Sequence, residues 1–143
     1  MNKNKGIEPN VSYDDFVLGS NINQHLNRKH VKEHFDDTPS LANEYVYSFI
    51  DEDISVWCDE DGTIESIECW SSCIYHGIEL IKMKYTDFIE LIHEQPDDQD
   101  FVYVEVGEKE QREHVYTFYR YGLQIYTYRN RIRSVNVSKY EDD

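Results

Sequence analysis

Nowhere does this chain approach the roughly 18 consecutive apolar residues that a membrane-crossing helix needs, so no membrane partner is expected. Glycine is scarce as well. Six glycines in 143 residues leave no glycine-rich phosphate loop, and there is no G-x-S-x-G elbow; no cofactor is expected. The three cysteines (Cys58, Cys69, Cys73) do not make a disulfide framework and suit a reducing compartment. Cys58 and Cys69 alternate with apolar residues and read as small buried hydrophobes. Residues 1–9 are charged with no apolar run behind them, which is not a secretory signal. A cytoplasmic protein is the expectation. Positive charge is also in short supply: 14 Lys and Arg stand against 29 Asp and Glu, a net charge of −15. Phosphate backbones are held by clustered cations, so nucleic acid is not the expected partner.

Aromatic residues, in contrast, are plentiful. Twelve Tyr, six Phe and two Trp argue against disorder and are common at protein interfaces. At this length the chain makes one domain, residues 1–143, with residues 1–12 as a flexible lead-in.

One stretch occurs twice. Val46-Tyr47-Ser48-Phe49, Ile54-Ser55-Val56-Trp57 and Ile64-Glu65-Ser66-Ile67 return as Val115-Tyr116-Thr117-Phe118, Leu123-Gln124-Ile125-Tyr126 and Ile132-Arg133-Ser134-Val135. The spacing holds except for one residue lost in the second turn. Residues 46–70 hold acids and no Lys or Arg; residues 115–139 hold bases and no acid. Shared apolar positions imply one kind of core used twice. Divided charge implies two surfaces with different work, the acidic one directed at a basic partner.

Local patterns predict the elements. Ser20 and Asn21 offer cap oxygens for a helix over residues 22–35, ended at residues 36–40 by Pro39. A three-strand meander follows over residues 46–70, with turns at residues 50–53 and at Asp61-Gly62. A short strand over residues 78–83 leads to a better helix from Tyr85 to Ile92. Residues 95–100 read as loop, 101–106 as strand and 107–112 as a charged turn. The second meander spans residues 115–137, and residues 141–143 form a tail. The expected fold class is therefore α+β, with tandem helix-plus-antiparallel β-meander units and helices packed against one face of the sheet. The first pseudo-repeat covers about residues 16–75 and the second about 79–140.

Catalytic signals are few. His30-Val31-Lys32-Glu33-His34 has the short H-x-x-E-H pattern of zinc peptidases, but no third ligand can be identified and a solvated helix face explains it as well. Cys69 and Cys73 have neither zinc nor C-x-x-C redox spacing. His76 and His93 cannot be matched to a cysteine nucleophile. No metal and no catalytic residue are expected. The acidic clusters Asp51-Glu52-Asp53 and Asp59-Glu60-Asp61 fall in turns, where Asp is favoured anyway, and lack EF-hand spacing. Concentrated beside Trp57, Trp70 and Tyr75, they form a candidate partner-binding surface.

Three stretches carry a family likeness: Phe16-Val17-Leu18-Gly19-Ser20, Asp53-Ile54-Ser55-Val56-Trp57 with Asp61-Gly62-Thr63-Ile64 behind it, and Tyr75-His76-Gly77-Ile78 ahead of Leu80-Ile81. On these the chain resembles bacterial immunity proteins of contact-dependent growth inhibition and related polymorphic toxin systems. Its tandem layout is also similar to that of the bacterial β-lactamase inhibitor protein. The resemblance implies a cytoplasmic inhibitor that binds one cognate toxin domain, often a nuclease, and blocks its active site or substrate groove. Alternatives from other classes are a small enzyme with a cleft between the pseudo-repeats and a generic protein-interaction module.

Overall fold

The computed structural model describes residues 6–35 and 44–140. Three short strands come first: β1 (Ile7–Glu8), β2 (Ser12–Tyr13) and β3 (Phe16–Val17). A 3-10 turn at Ile22–His25 leads to β4 (His30–Phe35), β5 (Glu44–Phe49), β6 (Ile54–Cys58) and β7 (Ile64–Cys69). After β8 (Ile74–Tyr75) and β9 (Ile78–Glu79) comes helix α1 (Tyr85–Ile92). The chain then forms β10 (Asp98–Val106), β11 (Lys109–Phe118), β12 (Leu123–Tyr128) and β13 (Arg131–Ser138).

Eight strands join in one antiparallel sheet, in the order β10-β11-β12-β13-β7-β6-β5-β4. The alternation that predicts the meanders is the alternation observed. In β6, Ile54, Val56 and Cys58 are buried while Ser55 and Trp57 are half-buried on the other face. Segments outside the sheet cover the first of these faces. Phe16 packs on Phe49 with ring centroids 5.0 Å apart, and Phe88 of α1 meets Phe118 edge-on at 5.7 Å. Ile22, Leu80, Tyr13 and Cys73 complete one continuous core.

The two meanders share a register. Tyr47 lies opposite Val56 as Tyr116 lies opposite Ile125, and both halves carry a bulge at the same place, after Trp57 and after Tyr126. The correspondence reaches the covering segments. Gly19 N–H donates to the Ile64 carbonyl and Lys82 N–H to that of Ile132; Ile22 N–H donates to Gly62 and Tyr85 N–H to Asn130. The β2–β3 hairpin turns on Asp14 at φ 53° and the β8–β9 hairpin on His76 at φ 51°. The halves are joined by β7 and β13, where Ile67 faces Val137, Cys69 faces Val135 and Glu68 faces Asn136. By the repeat, Glu68 and Asn136 are equivalent residues. A local two-fold axis therefore passes between them.

The expected α+β class of tandem helix-plus-meander units is overturned. The protein is mostly β, with one α-helix among the described residues and one large antiparallel sheet, so the first meander has no helix of its own. The helix expected over residues 22–35 stops after one turn. Asn21 caps that turn, its side chain accepting from Asn23 N–H, but the apolar spacing that would continue it ends at Leu26. From His30 the chain instead finds a strand partner in β5, with six residues in register. This likewise removes the tandem likeness to the β-lactamase inhibitor layout. The strand expected over residues 78–83 shrinks to Ile78–Glu79, and the charged turn at 107–112 is mostly β11. Ile7–Glu8 and Ser12–Tyr13, in the expected lead-in, pair as strands. Residues 1–5, the stop at residues 36–40 and the tail at 141–143 lie outside the described residues.

Cys69 and Cys73 are joined by a disulfide that closes the loop over residues 70–72, whereas the odd count suggested no framework. A local pair four residues apart needs no even total. Cys58 is the free, buried thiol.

Candidate functional site

The second face of the sheet has a different character. Among the described residues, the buried apolar side chains of the segments outside the sheet, Ile7, Tyr13, Phe16, Ile22, Tyr75 and Phe88, join the core. The opposite face presents Val46, Ser55, Trp57, Ser66, Glu68, Gln124, Tyr126, Ser134 and Asn136, of which Val46, Glu68, Ser134 and Asn136 are buried. Around the local two-fold axis it holds a depression of about 230 Å³ lined by Glu44, Trp57, Ser66, Glu68, Tyr126 and Asn136. Trp57 and Tyr126 are equivalent residues of the two halves, as are Glu68 and Asn136. A larger surface hollow, about 560 Å³, lies between the N-terminal hairpin and Lys139, but its one buried lining residue is the apolar Ile64.

Glu68 is only 9% exposed. Flanking side chains dry it. Burial raises its carboxyl to about 7, opposed by the Ser134 hydroxyl, which donates to Oε2 at 3.1 Å, and aided by repulsion from Glu113. Glu44 is also raised to about 7, first by burial and then by a hydrogen bond and repulsion from Glu65, with Asp59 adding to it. None of the ion pairs among the described residues involves Glu44, Glu65 or Glu68. Burial, with the Glu68 charge behind it, pushes Tyr126 up to about 12. The site thus combines aromatic walls with carboxylates that lack a cation among the described residues. It can accept positive charge.

In the other half the same two positions are neutralised. Glu113 corresponds to Glu44, and Arg133 to Glu65. Arg133 Nε donates to the buried Glu113 Oε2 at 3.3 Å, and Gln111 donates to the same oxygen at 2.9 Å.

The predicted site residues do not form one patch. Asp51, Glu52 and Asp53 occupy the exposed β5–β6 turn, with Glu52 held by Arg28 at 3.4 Å. Trp70 joins them: its N–H donates to the Asp53 carbonyl at 3.3 Å and its Nε1 to Ser55 Oγ at 3.2 Å. Asp59, Glu60 and Asp61 lie at the opposite end of β6, roughly 17 Å away at about 3.3 Å per residue. Asp59 is occupied with its own turn, accepting from the N–H groups of Asp61 and Thr63, each at 2.9 Å. Trp57 stands between the two ends on the second face. Tyr75 is inside the core at 8% exposure. His30 and His34, on one extended strand, are about 13 Å apart and cannot share a metal. His76 and His93 sit in the β8–β9 turn and at the end of α1, away from the depression.

Sequence reasoning missed Glu44, Ser66, Glu68, Tyr126 and Asn136. Alternation sets Ser66 and Glu68 opposite Ile67 and Cys69, and the repeat aligns Tyr126 with Trp57. The burial of Glu68 and Asn136 on this face was not legible. No protein-family model, curated protein or solved structure matches the chain.

Proposed function

We propose that this protein is a non-catalytic inhibitor, an immunity protein that binds a cognate bacterial toxin domain and blocks its active site or substrate groove. The observation that carries the reading is the depression on the second sheet face, lined by Trp57, Tyr126 and the carboxyl groups of Glu44 and Glu68, with Glu65 next to Glu44. Ionising these groups is costly where no described cation pairs with them, and a basic partner would supply one. A nuclease groove is such a partner, since it must be cationic to hold phosphates. An acidic surface steers the encounter, and half-buried aromatics supply desolvated contacts once the two meet. The acidic turns at either end of β6 belong to this reading as its rim: Asp51, Glu52, Asp53 and Trp70 at one end, Glu60 and Asp61 at the other. Inhibition needs no metal, cofactor or catalytic group from this chain.

The reading carries a cytoplasmic location with it. The Cys69–Cys73 bridge pulls against that compartment, where thiols are kept reduced. Co-expression tests the function: the toxin domain encoded immediately upstream should arrest growth alone and lose that effect beside this protein, with a complex recoverable from the cells. Growth arrest undiminished by this protein would contradict the proposal.

A further inference from the structure

β10 (Asp98–Val106) lies at one end of the sheet, and among the described residues no strand pairs with its outer edge. It also outruns the sheet. Residues 102–106 pair with residues 109–113 of β11, whereas β12 joins β11 only from His114. Those five residue pairs form a two-stranded arm about 17 Å long. A bare two-stranded ribbon is marginal in water, and at its root Phe101, Val102 and Tyr103 are all exposed. The other exposed large apolar side chains among the described residues are scattered singly along the chain. The opposite edge of the sheet is better guarded. Register aligns β4 with β10: Lys32 lies opposite Tyr47 as Gln99 lies opposite Tyr116, and His34 opposite Tyr45 as Phe101 opposite His114. A lysine on an edge strand deters strand addition; β4 has one, and β10 has neither Lys nor Arg.

We propose that β10 is where two copies of this chain meet, their β10 strands pairing antiparallel about a two-fold axis at Val102. Val102 is the middle residue, so only this register pairs the whole strand. Phe101 then lies opposite Tyr103 of the second copy, Asp100 opposite Val104, Gln99 opposite Glu105 and Asp98 opposite Val106, each twice over. Aromatic meets aromatic, no acid faces an acid, and the Gln99 amide has a carboxylate to donate to. Lys109, opposite Val106 within its own arm, comes within side-chain reach of Asp98 of the second copy, with about 10 Å between their backbones. Arg112, whose guanidinium lies 3.7 Å from the Phe101 ring centroid, flanks the aromatic cluster from each copy. Main-chain hydrogen bonds join the two edges, and a two-fold contact closes on itself without growing into a fibre. The acidic halves lie toward the far ends of the joined sheet, so the contact goes beyond the proposed toxin-binding face and uses none of it.

The test is sedimentation velocity of the full chain over a concentration series at low and high salt, with cross-linking to read the register. The expected result is a reversible monomer–dimer equilibrium that tightens at high salt, because two chains of net charge −15 repel and salt screens them. A basic strand from another protein would show the opposite salt dependence. Val102→Lys sets a charge against its own copy on the axis and should weaken the dimer at least tenfold. Val102→Cys should cross-link under mild oxidation, its two Cα atoms lying about 5 Å apart, whereas Glu105→Cys, roughly 20 Å from its copy, should not. Wild type, with Cys58 buried and Cys69 bridged to Cys73, is the control for both. A chain that stays monomeric at every concentration and salt overturns the proposal and leaves the edge to a strand of another protein. A dimer that Val102→Lys leaves intact, or equal cross-linking at the two positions, overturns it as well. No toxin is present, so failure here refutes the self-contact alone and leaves the toxin-binding face to its own kinetics.

Discussion

Glu44 and Glu65 in the first half of the sheet occupy the two places that Glu113 and Arg133 occupy in the second. The backbone around them is the same: identical register between the outer strands, and a bulge at the same step. The outcome is opposite. In the second half a guanidinium lies against the buried carboxylate, and the site is satisfied within the chain. In the first half burial, and then the neighbouring Glu65 carboxyl, raise Glu44 to about 7. One scaffold therefore offers a closed electrostatic site and an open one side by side. Stability accounts for the closed site. The other has no cation in an ion pair with it among the described residues and is costly to keep ionised.

The comparison rests first on the shared core, and truncating that core should have the largest effect. Ile125 and Val56 are equivalent and fully buried. Ile125→Ala should cost roughly 2–5 kcal/mol in urea unfolding, and Val56→Ala less because fewer atoms are removed. A midpoint unchanged by either would break the idea of one core used twice.

Next in size is the pH dependence of stability. The folded state raises the Glu68 carboxyl from its ordinary value to about 7, so its favourable contribution is complete below the ordinary carboxylate range and is lost as pH rises through about 7. The ceiling on that loss is roughly 3 kcal/mol. Burial lowers the pKa of His25 and makes it act in the opposite direction, gaining stability as pH rises. The informative quantity is thus the difference between wild type and Glu68→Gln, measured by urea unfolding at pH 5 and pH 8. That difference should grow with pH in favour of the variant. A difference that does not vary with pH would show that Glu68 titrates normally.

Exchanging charges between the halves should have a smaller effect. Arg133→Glu leaves the buried Glu113 facing a like charge and should cost about 1–3 kcal/mol at neutral pH. Glu65→Arg gives Glu44 the partner that Glu113 already has, and should leave stability level or slightly raised while lowering the Glu44 pKa. Thermal unfolding of the two variants checks the asymmetry; equal losses would mean that the halves are electrostatically alike. The smallest expected change is chemical. Thiol counting by mass spectrometry after rapid alkylation in lysate should find one free thiol where the Cys69–Cys73 bridge persists and three where the compartment reduces it.

Much of the sheet was legible in the sequence because alternation reports a face directly. Ile54, Val56, Cys58 and their counterparts fell where period two put them. Helix α1 was legible for the same reason, its Phe88 facing the core. Residues 22–35 misled because a sound N-cap at Asn21 opens a turn without fixing its length, and strand pairing with β5 is a long-range gain that local signals cannot report. The candidate site was half legible. Trp57 stood out as an aromatic beside acids, but Glu68 resembles any solvent-facing strand residue in sequence, and its burial depends on neighbours from β13. Asp59 was read by its charge, whereas its oxygen is engaged in closing a turn.

The central claim is that the acidic half of the second sheet face meets a basic partner. Stopped-flow association with the upstream-encoded toxin domain at two ionic strengths tests it most directly, using Glu65→Lys and Trp57→Ala on the face. Asp51→Lys/Asp53→Lys and Glu60→Lys/Asp61→Lys probe the two ends, and Arg120→Gln serves as a control in the second half. The account predicts that Glu65→Lys slows association and flattens its salt dependence, that Trp57→Ala speeds dissociation, and that Arg120→Gln changes neither rate more than about twofold. Wild-type kinetics in both face variants, with association lost in either end variant, would contradict it and move the interface to that end of the sheet.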